Sequence, residues 1–544
     1  MKNINNFPKE ITNLPSVEFH GVKLVSFDFF DTLVHRDSVS HFRLWKNVSN
    51  KYFVARLKSE IMARLTNRLR NIPEVGPLDI YNRMPSDWGL EFELDLEIAN
   101  LNPNPLLVDM VKKAISSGSE VCIISDTHYR ASEIERILLE LNIPKVKVFA
   151  SSDHLKTKST GLFEQVQSFY NVKYSDWIHV GDNLKSDIGS AQELGIDSIY
   201  YPHMKFQLIN SGLISSKEYN FFRKAGKSGN KVLAEMFRFL LIDKRISSKK
   251  QASTPELFGS IIGGLVANVI ANEIHCMHQQ KIYDLVLYSS RDGWLPFIAH
   301  KMKFPDDPVV YFKTSRNLLD DENFEVYAQS IIGSAARVLV YDLGWRGSMA
   351  RRMTRSFPAI SLDFVYWQIL GKKSPNQHEL NPGGFRNRMR IWRSRDFLES
   401  IFTDESNGYD RIGIDLLPKE RAVSDDSKYK TPIITGATNG LRLSEYSPTL
   451  EEASLILEGF SRFPSDKLIA HFDGHRHQVN QKLSSYLVTT SWRRLLGKPR
   501  ILWSFGSRLP DGNITEKYIF SRIVLMKEAG QRILNLIGRF RQIN

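Results

Sequence analysis

The feature that most constrains this chain is a short apolar segment that ends abruptly at an acidic residue. Residues 22–27 are apolar enough for a strand buried in a parallel sheet, and Asp28 follows them directly. Carboxylates at the C-terminal end of such a strand lie where open α/β sheets bind their ligands. Taken alone, Asp28 and Asp31 fit an Asp-rich turn equally well, so other parts of the chain must decide between a turn and a site.

Three later segments supply polar partners for these acids. Residues 121–124 and 177–180 each predict a buried strand with a polar C-terminal end, and a basic loop precedes the predicted helix between them. The residues presented by the three segments are Ser125, Lys158 (with Lys156 as the weaker alternative), Asp182 and Asp187. Each of these could be a turn or capping residue by itself, but their joint occurrence in this order favours one shared site.

The order, spacing and context of the four segments resemble the four signature motifs of the haloacid dehalogenase (HAD) superfamily. The resemblance covers residues 18–205 and implies a Rossmann-like domain that binds Mg²⁺ and transfers phosphoryl groups. It implies a nucleophilic carboxylate, a hydroxyl that binds a phosphoryl oxygen and a lysine that neutralises developing charge. The implied catalytic residues are Asp28, Asp31, Thr32, Ser125 and Lys158, and the implied metal ligands are Asp28, the carbonyl of Phe30, Asp182 and Asp187.

The chemistry explains why these residue types are needed together. A carboxylate can attack a phosphoryl group only if a cation holds the two negative partners together. Mg²⁺ takes oxygen ligands and keeps several waters, so two or three aspartates at separate loop ends suffice to bind it.

One position departs from the pattern of the superfamily. Phosphatases of this type carry a second aspartate two residues after the nucleophile, where this chain has Phe30. Phenylalanine cannot transfer a proton, and loss of a positioned acid or base typically costs about 10²–10⁴-fold in rate. Either Asp31 or a cap supplies the proton, or the leaving group needs none, or the site is inactive.

With 544 residues the chain is too long for a single core, and the order of predicted elements favours an α/β fold with several parts. We predict an N-terminal HAD-like Rossmannoid domain with a small helical cap, a linker, a second Rossmann-like α/β domain and a basic, mainly helical C-terminal region. The predicted bounds are 1–212 with the cap at about 38–104, then 213–250, 251–435 and 436–544.

The second α/β unit repeats the arrangement of a strand, a polar glycine-containing loop and a helix. Such loops line ligand crevices in parallel sheets. Its candidate ligand-binding residues are Arg291, Asp292, Asp342 and Arg346. They suit a phosphate-bearing ligand such as a nucleotide-sugar or phosphoribosyl donor, although a structural Arg–Asp pair that braces the loops fits as well.

The amino-acid composition limits the cellular compartments in which the protein is expected. Cys122 and Cys276 fall in a predicted strand and a predicted helix, so we expect two unpaired thiols and a reducing compartment. Residues 1–10 lack the apolar core of a signal peptide, and the charge-free run 257–272 is too short to span a bilayer. We therefore expect a cytoplasmic protein. The sequence shows no Cys/His cluster with zinc-type spacing.

The positive charge is concentrated at the end of the chain. Residues 491–544 contain eleven Lys or Arg and three Asp or Glu, and so carry +8 of the net +13. Such a tail favours an anionic partner, including the surface of the inner membrane. Nucleic acid is not an expected partner, because no recognisable nucleic-acid-binding module is present.

Over most of its length the chain also resembles large HAD hydrolases predicted from bacterial cell-surface polysaccharide gene clusters. This resemblance implies a phosphohydrolase in O-antigen or capsule biosynthesis, with a phosphorylated sugar, nucleotide-sugar or lipid-linked glycan as substrate. Two alternatives stay open: a glycosyl- or phosphoribosyl-type transferase with its chemistry in the second domain, and a non-catalytic scaffold that docks at a membrane.

Overall fold

The computed structural model describes residues 18–246, 252–290, 292–345, 347–369, 374–380, 402, 409–420, 427–443, 448–462 and 467–468. The basic tail 491–544 lies outside the described residues. The strands, in chain order, are β1 (Leu24–Phe27), β2 (Val34–Arg36), β3 (Leu101–Pro103), β4 (Glu120–Ser125), β5 (Lys147–Ala150), β6 (Trp177–Gly181), β7 (Asp197–Tyr200), β8 (Leu285–Ser289), β9 (Val309–Phe312), β10 (Arg337–Trp345), β11 (Ser361–Ile369), β12 (Gln377–Glu379), β13 (Tyr409–Ile412) and β14 (Pro418–Glu420).

Two parallel sheets, each of five strands in the described part of the chain, organise the molecule. The first has the order β5–β4–β1–β6–β7 and the second the order β12–β11–β10–β8–β9. All neighbouring strands within each sheet run parallel. The predicted α/β class is therefore confirmed. In both sheets the chain order reverses beside the first strand, and this places a crevice between β1 and β6 and another between β8 and β10.

Helices cover these sheets and fill the segments between strands, and the buried residues of the strands pack against them. The α-helices before residue 247 are His41–Val48, Asn50–Leu69, Pro77–Tyr81, Leu90–Ile98, Pro105–Ser116, Ala131–Glu140, Ser151–His154, Leu162–Tyr170, Ser190–Glu193, Met204–Asn210, Ser216–Lys224 and Gly226–Ile246. The later ones are Thr254–Ile261, Asn268–Lys281, Trp294–Lys303, Arg316–Leu319, Phe324–Ile332, Ser348–Ser356, Ser427–Leu443 and Leu450–Arg462.

A helical insertion separates the first two strands of the first sheet. The antiparallel pair β2–β3 joins its two ends, with Val34 opposite Pro103. Two serines begin its first helices: the hydroxyl of Ser49 accepts a hydrogen bond from the backbone N–H of Tyr52 at 3.0 Å, and Ser40 does the same for Arg43. The helices fall within the stretch predicted as a cap.

The segment predicted as a linker, 213–250, is mainly helical and packed over its described part, residues 213–246. The helices Ser216–Lys224 and Gly226–Ile246 bury Phe222, Leu233 and Met236 in the same apolar core as Phe258 of the following helix. This segment is therefore an integral part of the folded body, held by the burial of its apolar side chains.

The predicted boundary between residues 435 and 436 is also wrong, because it falls inside the helix Ser427–Leu443. Glycines allow this helix to approach the helix Thr254–Ile261 closely. A Cβ atom on Gly436 would overlap the carbonyl of Glu256, and one on Gly259 would overlap the carbonyl of Ile433. The two helices therefore pack as one unit across that boundary.

Residues Thr254–Lys281 form one continuous helix with a π-helical turn at Ile262–Ala267. By length and composition it could cross a membrane, but 83% of its most apolar window is buried inside the protein. Its apolar character thus has a packing explanation. Cys122 is buried and Cys276 is exposed, and both are free thiols, as predicted.

Candidate active site

The crevice between β1 and β6 brings the predicted acids together. Asp28 follows β1, and its backbone N–H donates a 2.8 Å hydrogen bond to the carbonyl of Val180 in β6. Asp182 follows the end of β6, and Asp187 lies in the π-helical turn Leu184–Gly189. Because parallel strands end at one edge of a sheet, residues far apart in sequence meet here.

Lys158 bridges two of these carboxylates. Its Nζ atom lies 2.5 Å from Oδ1 of Asp28 and 2.5 Å from Oδ1 of Asp187. Only 2% of the lysine side chain is exposed, so the charge is compensated by the acids and not by water. The weaker candidate, Lys156, lies beside Gly161 instead. The backbone N–H of Lys158 also donates to Oδ1 of Asp126 at 2.8 Å, which fixes the loop that carries it.

The electrostatic environment separates the acids by their pKa values. Burial raises the pKa of Asp28 to about 7, with the ammonium of Lys158 opposing the shift. Burial, together with repulsion from Asp28, Asp31 and Asp187, raises the pKa of Asp182 to about 8. Burial alone would also raise the pKa of Asp187, but Lys158 and the hydrogen bond from His179 hold it well below its usual value.

A buried chain of polar groups that sequence reasoning missed supports Asp187. The indole N–H of Trp177 donates to Ser26 Oγ at 2.7 Å, and Ser26 Oγ lies 2.8 Å from Nδ1 of His179. With the Ser26 hydroxyl donating to Nδ1, the Nε2–H of His179 faces Oδ1 of Asp187 at 3.4 Å. The chain depends on the pairing of β1 with β6, which is not local in the sequence.

The other oxygen of Asp187 is fixed by the backbone. Its Oδ2 accepts a 2.8 Å hydrogen bond from the N–H of Asn183. A Cβ atom on Gly181 would overlap the Asp187 carboxyl group, so glycine at this position makes room for the acid. The end of β6 and the turn that follows it therefore both accommodate the side chain of Asp187.

The donor set suits a small divalent cation. Asp28, Asp182 and Asp187 each offer one carboxylate oxygen, and these oxygens lie within 4.8 Å of one another. Carboxylate oxygens are the ligands that Mg²⁺ prefers. Burial raises the pKa of Asp28 and of Asp182, and neighbouring carboxylates add to the shift, so a bound cation would stabilise the deprotonated forms of both acids.

Two hydroxyls predicted in the site lie at its edge. Thr32 Oγ1 donates to Oδ2 of Asp28 at 3.2 Å, so it orients the carboxylate that the sequence marks as the nucleophile. Ser125 is 1% exposed at the C-terminal end of β4, next to β1 in the sheet. Both positions follow from the strand ends.

The residue two positions after Asp28 takes no part in proton transfer. The ring of Phe30 packs 4.9 Å from that of Phe29 and 4.4 Å from the guanidinium of Arg36. Asp31, by contrast, adopts a left-handed backbone conformation with φ of 62° and is 31% exposed. Its carboxylate lies 3.7 Å from Arg36 and 4.0 Å from Nε2 of His203, a residue that the sequence did not single out.

The helical insertion reaches the site through charged groups that are themselves buried. Arg56 is fully buried; its Nε donates to Glu93 at 2.7 Å, and its Nη2 lies 3.1 Å from Nε2 of His128, in the loop after β4. Arg36 forms two hydrogen bonds to Glu97, at 2.9 and 3.2 Å. The contact of Arg56 with His128 and the Arg36–Glu97 pair link the insertion to the first domain, whereas the Arg56–Glu93 pair lies within the insertion.

Only two of the four residues predicted to bind a ligand at the second crevice are described by the structure. Asp292 and Asp342 are described, whereas Arg291 and Arg346 lie outside the described residues. Oδ1 of Asp342 accepts a 3.4 Å hydrogen bond from the N–H of Gly344. The backbone N–H of Thr314 donates to Ser290 Oγ at 2.8 Å, which links the ends of β8 and β9.

Comparisons with known proteins add little to this geometry. No protein-family model matches the sequence, and no curated protein matches it. Among solved structures, an uncharacterized protein from Listeria monocytogenes serotype 4b is 16% identical, over 33% of this chain and 77% of that one, with a TM-score of 0.20. A HAD family enzyme from Bacteroides thetaiotaomicron, in complex with magnesium and inorganic phosphate, is 16% identical over 34% of this chain and 95% of that one, with a TM-score of 0.24. At these TM-scores neither likeness indicates a function.

Proposed function

We propose that this chain is a Mg²⁺-dependent phosphohydrolase of the HAD type that acts on a phosphorylated sugar or related intermediate in bacterial surface polysaccharide biosynthesis. The observation that carries the proposal is the position of Asp28, which is bonded to the buried ammonium of Lys158 and lies beside Asp182 and Asp187. A carboxylate so placed has a cation on one side and a potential metal site on the other, as nucleophilic attack on phosphorus requires.

The residues suit a two-step hydrolysis. Asp28 attacks the phosphorus atom, a phosphoaspartyl bond forms, and the bond to the leaving-group oxygen breaks; water then hydrolyses the phosphoaspartate. Lys158 neutralises charge on the nucleophile and on the phosphoryl group, while Thr32 holds the attacking carboxylate in place. A divalent cation bound by Asp28, Asp182 and Asp187 would offset the repulsion between the nucleophile and the phosphate.

Asp31 is the best-placed group for proton transfer to the leaving group. Its side chain is partly exposed, and it lies close enough to Asp182 to raise the pKa of that acid. His203 faces it at 4.0 Å, with Nδ1 accepting a 3.2 Å hydrogen bond from the N–H of Lys205. The Nε2 atom of this imidazole is then the protonated one, and it points to Asp31.

The proposal is tested by phosphate release from a panel of sugar phosphates and nucleotide-sugars, with Mg²⁺ or with EDTA, alongside Asp28→Asn. We expect release that needs the metal and is lost in the variant. Release equal in the variant and the wild type would overturn the assignment of the nucleophile. The link to polysaccharide synthesis rests on the sequence resemblance, and the substrate panel is its test.

A transferase with its chemistry in the second domain is the alternative that a specific observation favours. Within the described residues, the hydroxyls of Ser289 and Thr314 are buried at the second crevice without a hydrogen-bond partner. Such groups are usually satisfied, so a ligand is one explanation for them. Asp28→Asn would leave transfer from a nucleotide-sugar intact, and Asp342→Asn would abolish it.

The proposed location is the cytoplasm, and contact with an anionic membrane would use residues 491–544. Flotation with anionic liposomes, with and without that segment, tests the contact. Salt-sensitive binding that is lost with the segment supports it, whereas salt-insensitive or absent binding excludes it.

A further inference from the structure

A second group of metal-binding side chains lies in the second domain, away from both crevices. His275 lies within the helix Asn268–Lys281, His300 belongs to the helix Trp294–Lys303, and Asp307 lies in the loop before β9. Their ligand atoms lie within 4.8 Å of one another. The three residues come from separate segments, which is why no spacing in the sequence reveals the group.

The two imidazoles converge on a single carboxylate oxygen. His275 Nδ1 lies 2.7 Å from Oδ2 of Asp307, and His300 Nε2 lies 2.8 Å from the same atom. The side chain of His300 is fully buried, and those of Asp307 and His275 are 9% and 24% exposed. Two nitrogens and one carboxylate oxygen meeting at one point form a donor set that binds Zn²⁺.

We propose that His275, His300 and Asp307 form a structural Zn²⁺ site in the second domain. In a tetrahedral site with bonds of about 2.0–2.1 Å, neighbouring ligand atoms are about 3.3 Å apart. The two nitrogen–oxygen distances, 2.7 and 2.8 Å, are shorter than this, so the carboxylate oxygen and the nitrogens must move apart to admit the ion. Asp307 is in a loop and His275 is partly exposed, so both can make that shift.

Neighbouring residues hold the ligands in the orientation that a metal site needs. The hydroxyl of Tyr288 lies 2.6 Å from Nδ1 of His300, where it can accept a hydrogen bond from Nδ1–H when Nε2 binds a metal. The ring of Phe304 stacks on that of His275, with centroids 3.7 Å apart and planes inclined by 1°. Both imidazole rings are thus held in position by a neighbouring side chain.

A third histidine borders the group but is not a ligand in this arrangement. The Nδ1 atom of His278 accepts a 3.3 Å hydrogen bond from the N–H of Tyr283, so its Nε2 carries the proton. That Nε2 lies 3.9 Å from Oδ1 of Asp307.

The place of the site in the fold indicates a structural role. Asp307 precedes β9, whose first residue Val309 pairs with Val286 near the start of β8. The site therefore lies at the N-terminal edge of the second sheet, opposite the edge that carries Ser290 and Asp342. An ion here would link two helices to the loop that precedes the edge strand β9.

The test uses the full-length chain, stripped with EDTA and then titrated with ZnCl₂, followed by gel filtration and metal analysis. Co²⁺ serves as a spectroscopic probe, because its visible d–d bands identify a tetrahedral nitrogen and oxygen site. The variants are His275→Gln, at the most exposed ligand, and Tyr288→Phe, which removes only the group that orients His300. His20→Gln, on an exposed histidine outside the group, is the matched control.

We expect one tightly bound Zn²⁺ per chain in the wild type and in His20→Gln, with tetrahedral Co²⁺ bands and a melting temperature raised by the metal. His275→Gln should weaken binding at least about 100-fold, and Tyr288→Phe about 10–100-fold. Asp28→Asn should not affect it, and this separates the site from the proposed Mg²⁺ site. Zn²⁺ binding equally tight in His275→Gln, or no binding to the folded wild type, would overturn the proposal.

Discussion

Lys158 and Asp187 form an ion pair in which both side chains are almost completely buried, with 2% and 1% of their surfaces exposed. The same ammonium reaches Asp28, so one cation compensates two carboxylates that come from different strand ends. Buried charges persist only when they are paired, and this makes the lysine essential to the charge balance of the site.

Under the proposed function, replacement of this lysine should therefore remove most of the phosphohydrolase activity. We expect Lys158→Met to lower phosphate release by about 10²–10³-fold, because the charge that stabilises the transition state is lost. Lys156→Met is the matched control, since Lys156 lies beside Gly161, away from the carboxylates. Circular dichroism and melting temperatures of both variants separate loss of catalysis from loss of folding. Equal activity in the two variants would contradict the assignment.

Two substrates with different leaving groups can test whether Asp31 donates a proton. Only a poor leaving group needs that proton, whereas a general contribution to the site would affect both substrates. We expect Asp31→Asn to slow hydrolysis of a sugar phosphate by about 10²-fold or more. Hydrolysis of 4-nitrophenyl phosphate should fall much less, because nitrophenolate leaves without a proton. The measurement is kcat for both substrates in Asp31→Asn and in His203→Gln. Equal losses on both substrates in Asp31→Asn would exclude proton donation by this residue.

Metal binding should be coupled to pH through Asp28 and Asp182. The folded-state pKa values of about 7 and about 8 lie above the ordinary value of 3.8, so the metal-free fold binds more protons than the unfolded chain. The resulting stabilisation is fully present below pH 3.8 and is lost as the pH rises through 7 and 8. Mg²⁺ binds the deprotonated acids, so it should restore stability most at high pH.

The measurement is the difference in melting temperature with Mg²⁺ and with EDTA, from pH 6 to pH 9. We expect this difference to grow with pH and to vanish in Asp182→Asn. Other groups titrate as well, such as His35, whose pKa is lowered to about 3 by burial. Their contributions cancel in the difference because the Mg²⁺ and EDTA samples are compared at the same pH. A difference that stays constant over this range would contradict the coupling.

The parts of the site that follow strand ends could be predicted from the sequence. Asp28, Ser125 and Asp182 each follow an apolar run, and a parallel sheet gathers such positions at one edge. The partners of these residues could not be predicted. His179 supports Asp187 through Ser26 and Trp177, and those contacts depend on which strands become neighbours.

The errors in the predicted organisation have a common physical cause. The segment 213–250 is rich in charge at its ends, but the helix Gly226–Ile246 buries one face against the helices that follow. A one-dimensional pattern shows amphipathic character without showing what covers the apolar face. The same limit concealed the group of His275, His300 and Asp307, whose members meet only after the second sheet has formed.

The buried pairs of the insertion make a prediction about stability that is independent of the chemistry. Arg56 lies over the ring of Trp45 at 4.4 Å and donates to Glu93, which is fully buried. We expect Arg56→Met to destabilise the protein by about 3–5 kcal/mol, because Glu93 keeps its burial and loses its cation. The matched control is Arg136→Met, since the partners of Arg136 are Glu91 and Asp95, which are 76% and 65% exposed, and loss of such surface pairs costs little stability.

Urea unfolding followed by tryptophan fluorescence measures both variants, because Trp45 lies against the substituted side chain. The urea midpoint should fall much further for Arg56→Met than for Arg136→Met. Adding Glu93→Gln to Arg56→Met should raise the midpoint again in part, because it removes the unpaired buried charge. Equal midpoints for the two single variants would show that the insertion is held by apolar contacts alone. Since His128 links Arg56 to the loop after β4, phosphate release should also fall in Arg56→Met.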